Sequence, residues 1–240
     1  MLSKMGCIVL SVLVAFAASV APVACQQKDA AASPVEKHQP DVSACIEPGQ
    51  KAAEEGKLDE ALKIFSGCVA KFPDSAEANF LLGMALFLNK DTEKAATQFK
   101  KVMQLEPNSL QAAAMLGKLY SMERQKLGVA RELLERVLSR APFRDDVRFD
   151  LARVYAQQGE EKKCLAEFKI LFNNEPKYSL YHTEFARILV AADRKADAIT
   201  HLKRALALDP NFQPAKNMLE SLEKEMKEAG SAADKGSKSQ

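Results

Sequence analysis

Tryptophan is absent from these 240 residues, and glycine and proline number only ten each. Collagen-like, low-complexity and turn-dense all-β chains need far more of the last two, so those architectures are excluded. No charge of one sign prevails, since 34 Lys and Arg face 32 Asp and Glu for a formal net charge of +2. Interleaved, near-neutral charge offers no footprint for a phosphate backbone, so nucleic acid is not expected as a partner. The chain has no CxxC pair, no Gly-rich phosphate loop and no GxSxG elbow. Its three histidines are His38, His182 and His201, and none completes a metal-ligand spacing. Acidic pairs such as Asp145-Asp146 and Glu160-Glu161 fall at helix starts, where the dipole favours them. No catalytic residue, cofactor site or metal site is expected, and the chain does not read as an enzyme.

What is present is apolar and helix-forming. Residues of the hydrophobic classes make up 47% of the chain, enough to bury a core, and Ala, Leu, Lys and Glu dominate. The first residues carry Lys4 and no acid, and residues 8–24 (IVLSVLVAFAASVAPVA) are apolar or small throughout. A positive start, a short apolar stretch and a small-residue exit define an export signal over 1–24. Val23-Ala24-Cys25 resembles the lipobox of bacterial lipoproteins, with Pro22 standing where that family has Leu, Val or Ala. The resemblance implies lipidation of Cys25, a membrane anchor and, with Gln26 rather than Asp after the Cys, an outer-membrane lipoprotein facing the periplasm. A cleaved soluble chain and an uncleaved anchor are the alternatives, since seventeen residues just reach a membrane span. Residues 25–41, polar and broken by Pro34 and Pro40, read as a disordered tether.

Self-similarity is the strongest signal. Prolines 73, 107, 142, 176 and 210 follow one another at intervals of 34, 35, 34 and 34. Between them recur large-small pairs (Leu82-Gly83, Leu116-Gly117, Leu151-Ala152, Phe185-Ala186). Later come Ala95, Ala130, Cys164 and Ala198, each followed four residues on by Phe99, Leu134, Phe168 or Leu202. Small residues let two antiparallel helices approach, large ones fill the remaining space, and proline stops the second helix. The pattern resembles the tetratricopeptide repeat (TPR). That resemblance implies an all-α, right-handed α-solenoid of about five helix hairpins and a capping helix. The units are 42–75, 76–109, 110–144, 145–178, 179–212 and the helix 213–228, with a disordered tail 229–240.

Three local expectations follow. The first unit carries Pro48-Gly49 where a large-small pair belongs, so its first helix is expected to start near Pro48 and be short. Asp74 with Glu77 reads as a capping box, and the inserted residue of the third unit is expected in the turn at Lys126-Leu127-Gly128. Cys45, ahead of the short first helix, and Cys68, late on its partner, fall at one end of a hairpin. In an exported protein this permits a disulfide, against two small packing residues. Cys164 takes an Ala slot and is expected to be buried and inert, and His182 to fill the space where the repeat often has Trp.

TPR arrays turn part of each first helix toward a groove that binds other proteins or peptide segments. Residues after the small slot are Met84, Lys118, Arg153 and Arg187, with Phe80, Phe87, Met122 and Phe149 as neighbours. The expected groove is therefore apolar toward the N-terminus and basic toward the C-terminus, suited to an acidic or amphipathic segment. Reversing the charge of Arg153 and Arg187 is expected to weaken capture while leaving the fold intact. The resemblance implies a non-enzymatic scaffold of the cell envelope, and a chaperone-like holder of unfolded exported chains is the alternative. Oligomeric state is not readable from the residues.

Overall fold

The structure, a computed structural model, describes residues 42–173 and 178–237. The export segment, the tether and Cys25 lie outside the described residues. Among the described residues there are eleven α-helices, one 3-10 turn and no strand. The chain divides after Leu119 into two compact units.

The first unit contains α1 (Val42–Glu54), α2 (Leu58–Lys71), α3 (Ala76–Leu88), α4 (Thr92–Leu105) and α5 (Leu110–Tyr120). Helix α1 pairs with α2, α3 pairs with α4, and α2 packs on α3. Two contacts close these hairpins. A Cβ on Gly49 would lie 2.6 Å from Phe65 Cε1, and one on Gly83 would lie 2.8 Å from Phe99 Cε1. Phe65 and Phe99 are fully buried, as are Ala61 and Ala95 one turn earlier. Each ring thus lies against the backbone of the facing helix, a fit that only a missing side chain permits.

Helix α1 is not short. It runs thirteen residues with Pro48 inside it. Proline forfeits one backbone hydrogen bond there, but Ile46 is buried and Cys45 is tied to α2, which holds the turn ahead of Pro48 in place. Gly49 is the small residue of this hairpin. The cap of α3 also differs from expectation. Ser75 Oγ accepts from the Ala78 amide at 3.1 Å, while Asp74 reaches across to Lys101 Nζ at 3.0 Å.

The second unit contains the 3-10 turn Arg124–Lys126, α6 (Leu127–Arg140), α7 (Asp145–Gln157), α8 (Glu161–Asn173), α9 (Ser179–Ala191), α10 (Lys195–Leu208) and α11 (Gln213–Ser237). Helices α7 and α8 form one hairpin and α9 and α10 the next, with α6 against α7 and α11 against α10. Leu134, Phe168 and Leu202 repeat the buried slot of Phe65 and Phe99. Phe168 and Phe185, with ring centroids 4.6 Å apart, join the two hairpins.

Four hairpin turns use one left-handed residue, at Gly56, Lys90, Gly159 and Asp193. Between α5 and α6 the chain runs instead through the 3-10 turn. The inserted residue therefore sits in Ser121–Lys126, and Leu127-Gly128 already belong to α6. Helix α11 continues to Ser237, past the expected end at 228, through a stretch that holds no proline to stop it.

Candidate functional site

One slot of the repeat carries several of the buried polar side chains. Its occupants are Cys45, Asn79, Ala113, Arg148 and His182, spaced like the prolines. Cys45 forms a disulfide with Cys68, with Cα atoms 5.7 Å apart, fastening α1 to α2. Asn79 Nδ2 donates to the carbonyls of Ser75 at 2.7 Å and Pro73 at 3.0 Å. Arg148 donates to Glu167 at 2.5 Å and to the Pro142 carbonyl at 2.6 Å. His182 Nδ1 lies 3.1 Å from His201 Nδ1, with Phe172 stacked on its ring at 4.5 Å. Apart from Arg148 Nε, which is buried without a partner, these polar groups are engaged within or next to their own hairpin, so the slot ties helices together. Cys164 is fully buried, and burial with Glu161 nearby pushes its thiol up to about 11, away from the reactive thiolate.

The expected groove residues lie on the first helices. In the first unit, Met84 is buried in α3, while Phe80 and Phe87 are half-buried. The Phe80 ring is 5.6 Å from that of Phe99, and Lys118 Nζ lies 5.8 Å from the Phe87 centroid. In the second unit Met122 stands exposed in the turn that follows α5 rather than on a helix face. Phe149 is buried under Tyr181, stacked at 4.3 Å.

Arg153 and Arg187 occupy the same slot of α7 and α9, and two acids unforeseen from the sequence link them. Arg153 Nε donates to Glu184 Oε1 at 3.2 Å, and its guanidinium also lies 3.7 Å from Asp150. Arg187 Nε donates to Glu184 Oε2 at 3.1 Å, and a second of its nitrogens donates to Oε1. Asp150 and Glu184 are themselves thirty-four residues apart, each three residues before its arginine. That spacing was open to reading in the sequence, but only facing helices show that Arg153 reaches the acid of the next hairpin. The result is an alternating chain Asp150–Arg153–Glu184–Arg187 in place of a run of bare positive charge. Reversing both arginines would gather four carboxylates on one face, so it would disturb the fold as well as binding, and glutamine is the better probe.

Among the described residues, no three His, Cys, Asp or Glu side chains are grouped to hold a metal ion. None of the described helices is long and apolar enough to cross a membrane.

Within each unit, helix hairpins packed on their neighbours, two of them closed by a glycine–phenylalanine contact, define a helical repeat protein of the kind that binds other proteins. The tetratricopeptide-repeat profile matches residues 52–119 and 121–187, and the chain belongs to that family. It is 30% identical over 173 residues to anaphase-promoting complex subunit 7 of Arabidopsis thaliana, a match covering 72% of this chain and 25% of that protein. The chain spans about a quarter of the length of the curated relatives it matches. Among solved structures, MamA (residues 41 to the end) from Desulfovibrio magneticus RS-1 superposes with a TM-score of 0.64 at 22% identity. That match covers 71% of this chain and 96% of the other. YrrB, described as a TPR protein with an unusual peptide-binding site, superposes with a TM-score of 0.61 at 16% identity, covering 77% and 95%. At these identities the likeness speaks for the fold. TPR repeats act as scaffolds for protein–protein interaction, and this chain carries them.

Proposed function

We propose that the protein is a non-enzymatic scaffold of the bacterial cell envelope that recruits or assembles partner proteins through its first-helix face. The observation that carries the reading is the α7–α9 face. There Arg153 and Arg187 stand half-exposed and exposed around Glu184, and Leu180, one turn before Glu184 on α9, is 51% exposed to solvent. A surface joining hydrogen-bond donors to an uncovered apolar group is suited to a peptide segment, with the apolar contact as anchor and the charges setting register. The peptide-binding site named for YrrB is in keeping with that ligand class. Lys4, the apolar residues 8–24 and Cys25 support export and tethering by a lipid anchor, which would place the repeats in the periplasm at the outer membrane. A holder of unfolded chains would need a broad Met and Phe surface. Met84 and Phe149 are buried and so lost to such a surface.

Crosslinked envelopes are the test. Affinity capture with the native protein should retain at least one specific partner, and Arg153→Gln with Arg187→Gln should lose it at unchanged melting temperature. Retention of every crosslinked partner by the double variant would move the binding surface to another face.

A further inference from the structure

Two guanidiniums of the second unit converge on a single carboxylate, and that carboxylate belongs to the protein itself. Arg153 and Arg187, from neighbouring hairpins, both aim at Glu184. The Glu184 side chain is 16% exposed, whereas that of Arg187 is 61% exposed. Leu180, Glu184 and Arg187 follow one another at i, i+4 and i+7 and so share one face of α9. The seat therefore accepts an acid beside an uncovered apolar side chain, with the Arg153 guanidinium 5.8 Å from the Phe149 ring behind it.

Resting on the first-helix reading above, we propose that Glu184 is an internal placeholder for a side-chain carboxylate of the partner. The partner presents an acidic residue next to a large apolar one. On docking, its carboxylate takes the bonds that Glu184 holds in the free protein, and its apolar side chain covers Leu180. Glu184 is mostly covered where it lies, so exchange requires its side chain to rotate out of the seat as the partner's carboxylate enters. The arrangement keeps the two arginines ordered and aimed at one point before binding, which spares ordering cost, while competition holds affinity down and rejects segments without an acid. Bidentate guanidinium chemistry makes the seat selective for carboxylate geometry.

The test titrates a fluorescent, C-terminally amidated dodecapeptide of Glu and Leu into detergent-solubilised full-length protein, with anisotropy as readout. Glu184→Gln, which keeps shape and removes charge, should bind it roughly threefold to tenfold more tightly than the native protein, the scale of one or two half-exposed ion pairs. The same peptide with Gln for Glu should show no gain, and adding Arg187→Gln to Glu184→Gln should abolish it. Should Glu184→Gln melt early, Glu184→Asp, one methylene short of both arginines, should show a smaller gain of the same sign. Equal or weaker binding by the Glu184 variants overturns the placeholder, as does failure of every form to bind the peptide. If the Arg153→Gln, Arg187→Gln protein nevertheless loses its crosslinked partner, the first-helix face stands and only the placeholder falls.

Discussion

His182 and His201 meet Nδ1 to Nδ1 at 3.1 Å in the same two slots that Arg148 and Glu167 fill with an ion pair one repeat earlier. Both pairs are nineteen residues apart along the chain, and both lock a first helix to its second. The chemistry differs in one respect. An arginine–glutamate pair keeps its charges over a wide pH range, whereas two facing imidazoles share a proton only while at least one of them is neutral. Phe172 stacks on His182, and Phe185 meets His201 edge-on with centroids 4.7 Å apart, so neither ring can hydrate a charge freely.

Acid should therefore loosen the α9–α10 hairpin. Burial, helped by His201 and Arg204, pushes His182 down to about 4. Burial also lowers His201, with Arg194 adding and Asp197 opposing. Between about 4 and the ordinary imidazole value near 6.5 the His182 site binds more protons in the unfolded chain than in the folded one, and His201 acts in the same direction. Stability is then present in full above about pH 6.5 and falls as pH drops toward 4, with His182 alone contributing about 2 kcal/mol between pH 7 and pH 5. Urea denaturation at the two values measures it. His182→Phe should remove most of the difference, and an unchanged slope would show that acid acts elsewhere.

The equivalent pair in α7 and α8 should behave as a buried ion pair. The Arg148 side chain is 10% exposed and that of Glu167 19%. Glu167→Ala leaves a guanidinium with little water and should cost about 3 kcal/mol, while Arg148→Met with Glu167→Leu should be close to neutral. Thermal melts of the three proteins distinguish the pair from a solvated contact, for which both changes would be small.

Reducing the Cys45–Cys68 bond should weaken the first hairpin selectively. The bond spans 23 residues, and closing a loop of that size contributes about 3 kcal/mol in the chain-entropy model. Differential alkylation after denaturation should find Cys164 free and Cys45 and Cys68 protected. Hydrogen exchange under reductant should rise first in α1, where Pro48 has already removed one helix bond.

Two helical glycines should respond with opposite sign to the same substitution. Gly83→Ala drives a methyl into the buried Phe99 ring, and the overpacking should outweigh the helix-propensity gain by about 1 kcal/mol. Gly67→Ala meets nothing within 4 Å in α2 and should stabilise by up to about 1 kcal/mol. Denaturant midpoints of the two variants decide the matter, and a shared sign would mean that Gly83 is not in contact.

Much of the helix placement was legible because repeats give each helix the same neighbours. Gly83, Ala95 and Phe99 recur as Gly117, Ala130 and Leu134 and again as Ala152, Cys164 and Phe168, and volume alone assigns them to the core. The start of α1 was misread because Pro48 carries a strong local stop signal, and the tertiary tie from Cys45 to Cys68 with burial of Ile46 overrode it. The cap of α3 was misassigned by one residue, since Asp74 and Ser75 are both competent caps and Asp74 is engaged by Lys101 instead.

By itself the amino-acid order determined the family, the hairpin period and the small-large contacts. All of these depend on residue volume and on spacing along one helix or one turn, which a linear pattern records directly. Tertiary structure alone decided that Arg153 reaches Glu184, that His182 finds His201, and that the basic slot of α7 and α9 is threaded with acids. Charge sign and repeat slot place a side chain on a face, but a hydrogen bond is set by rotamers and by the separation of two backbones tens of residues apart. Long polar side chains have many such options, and only the packed helices select one.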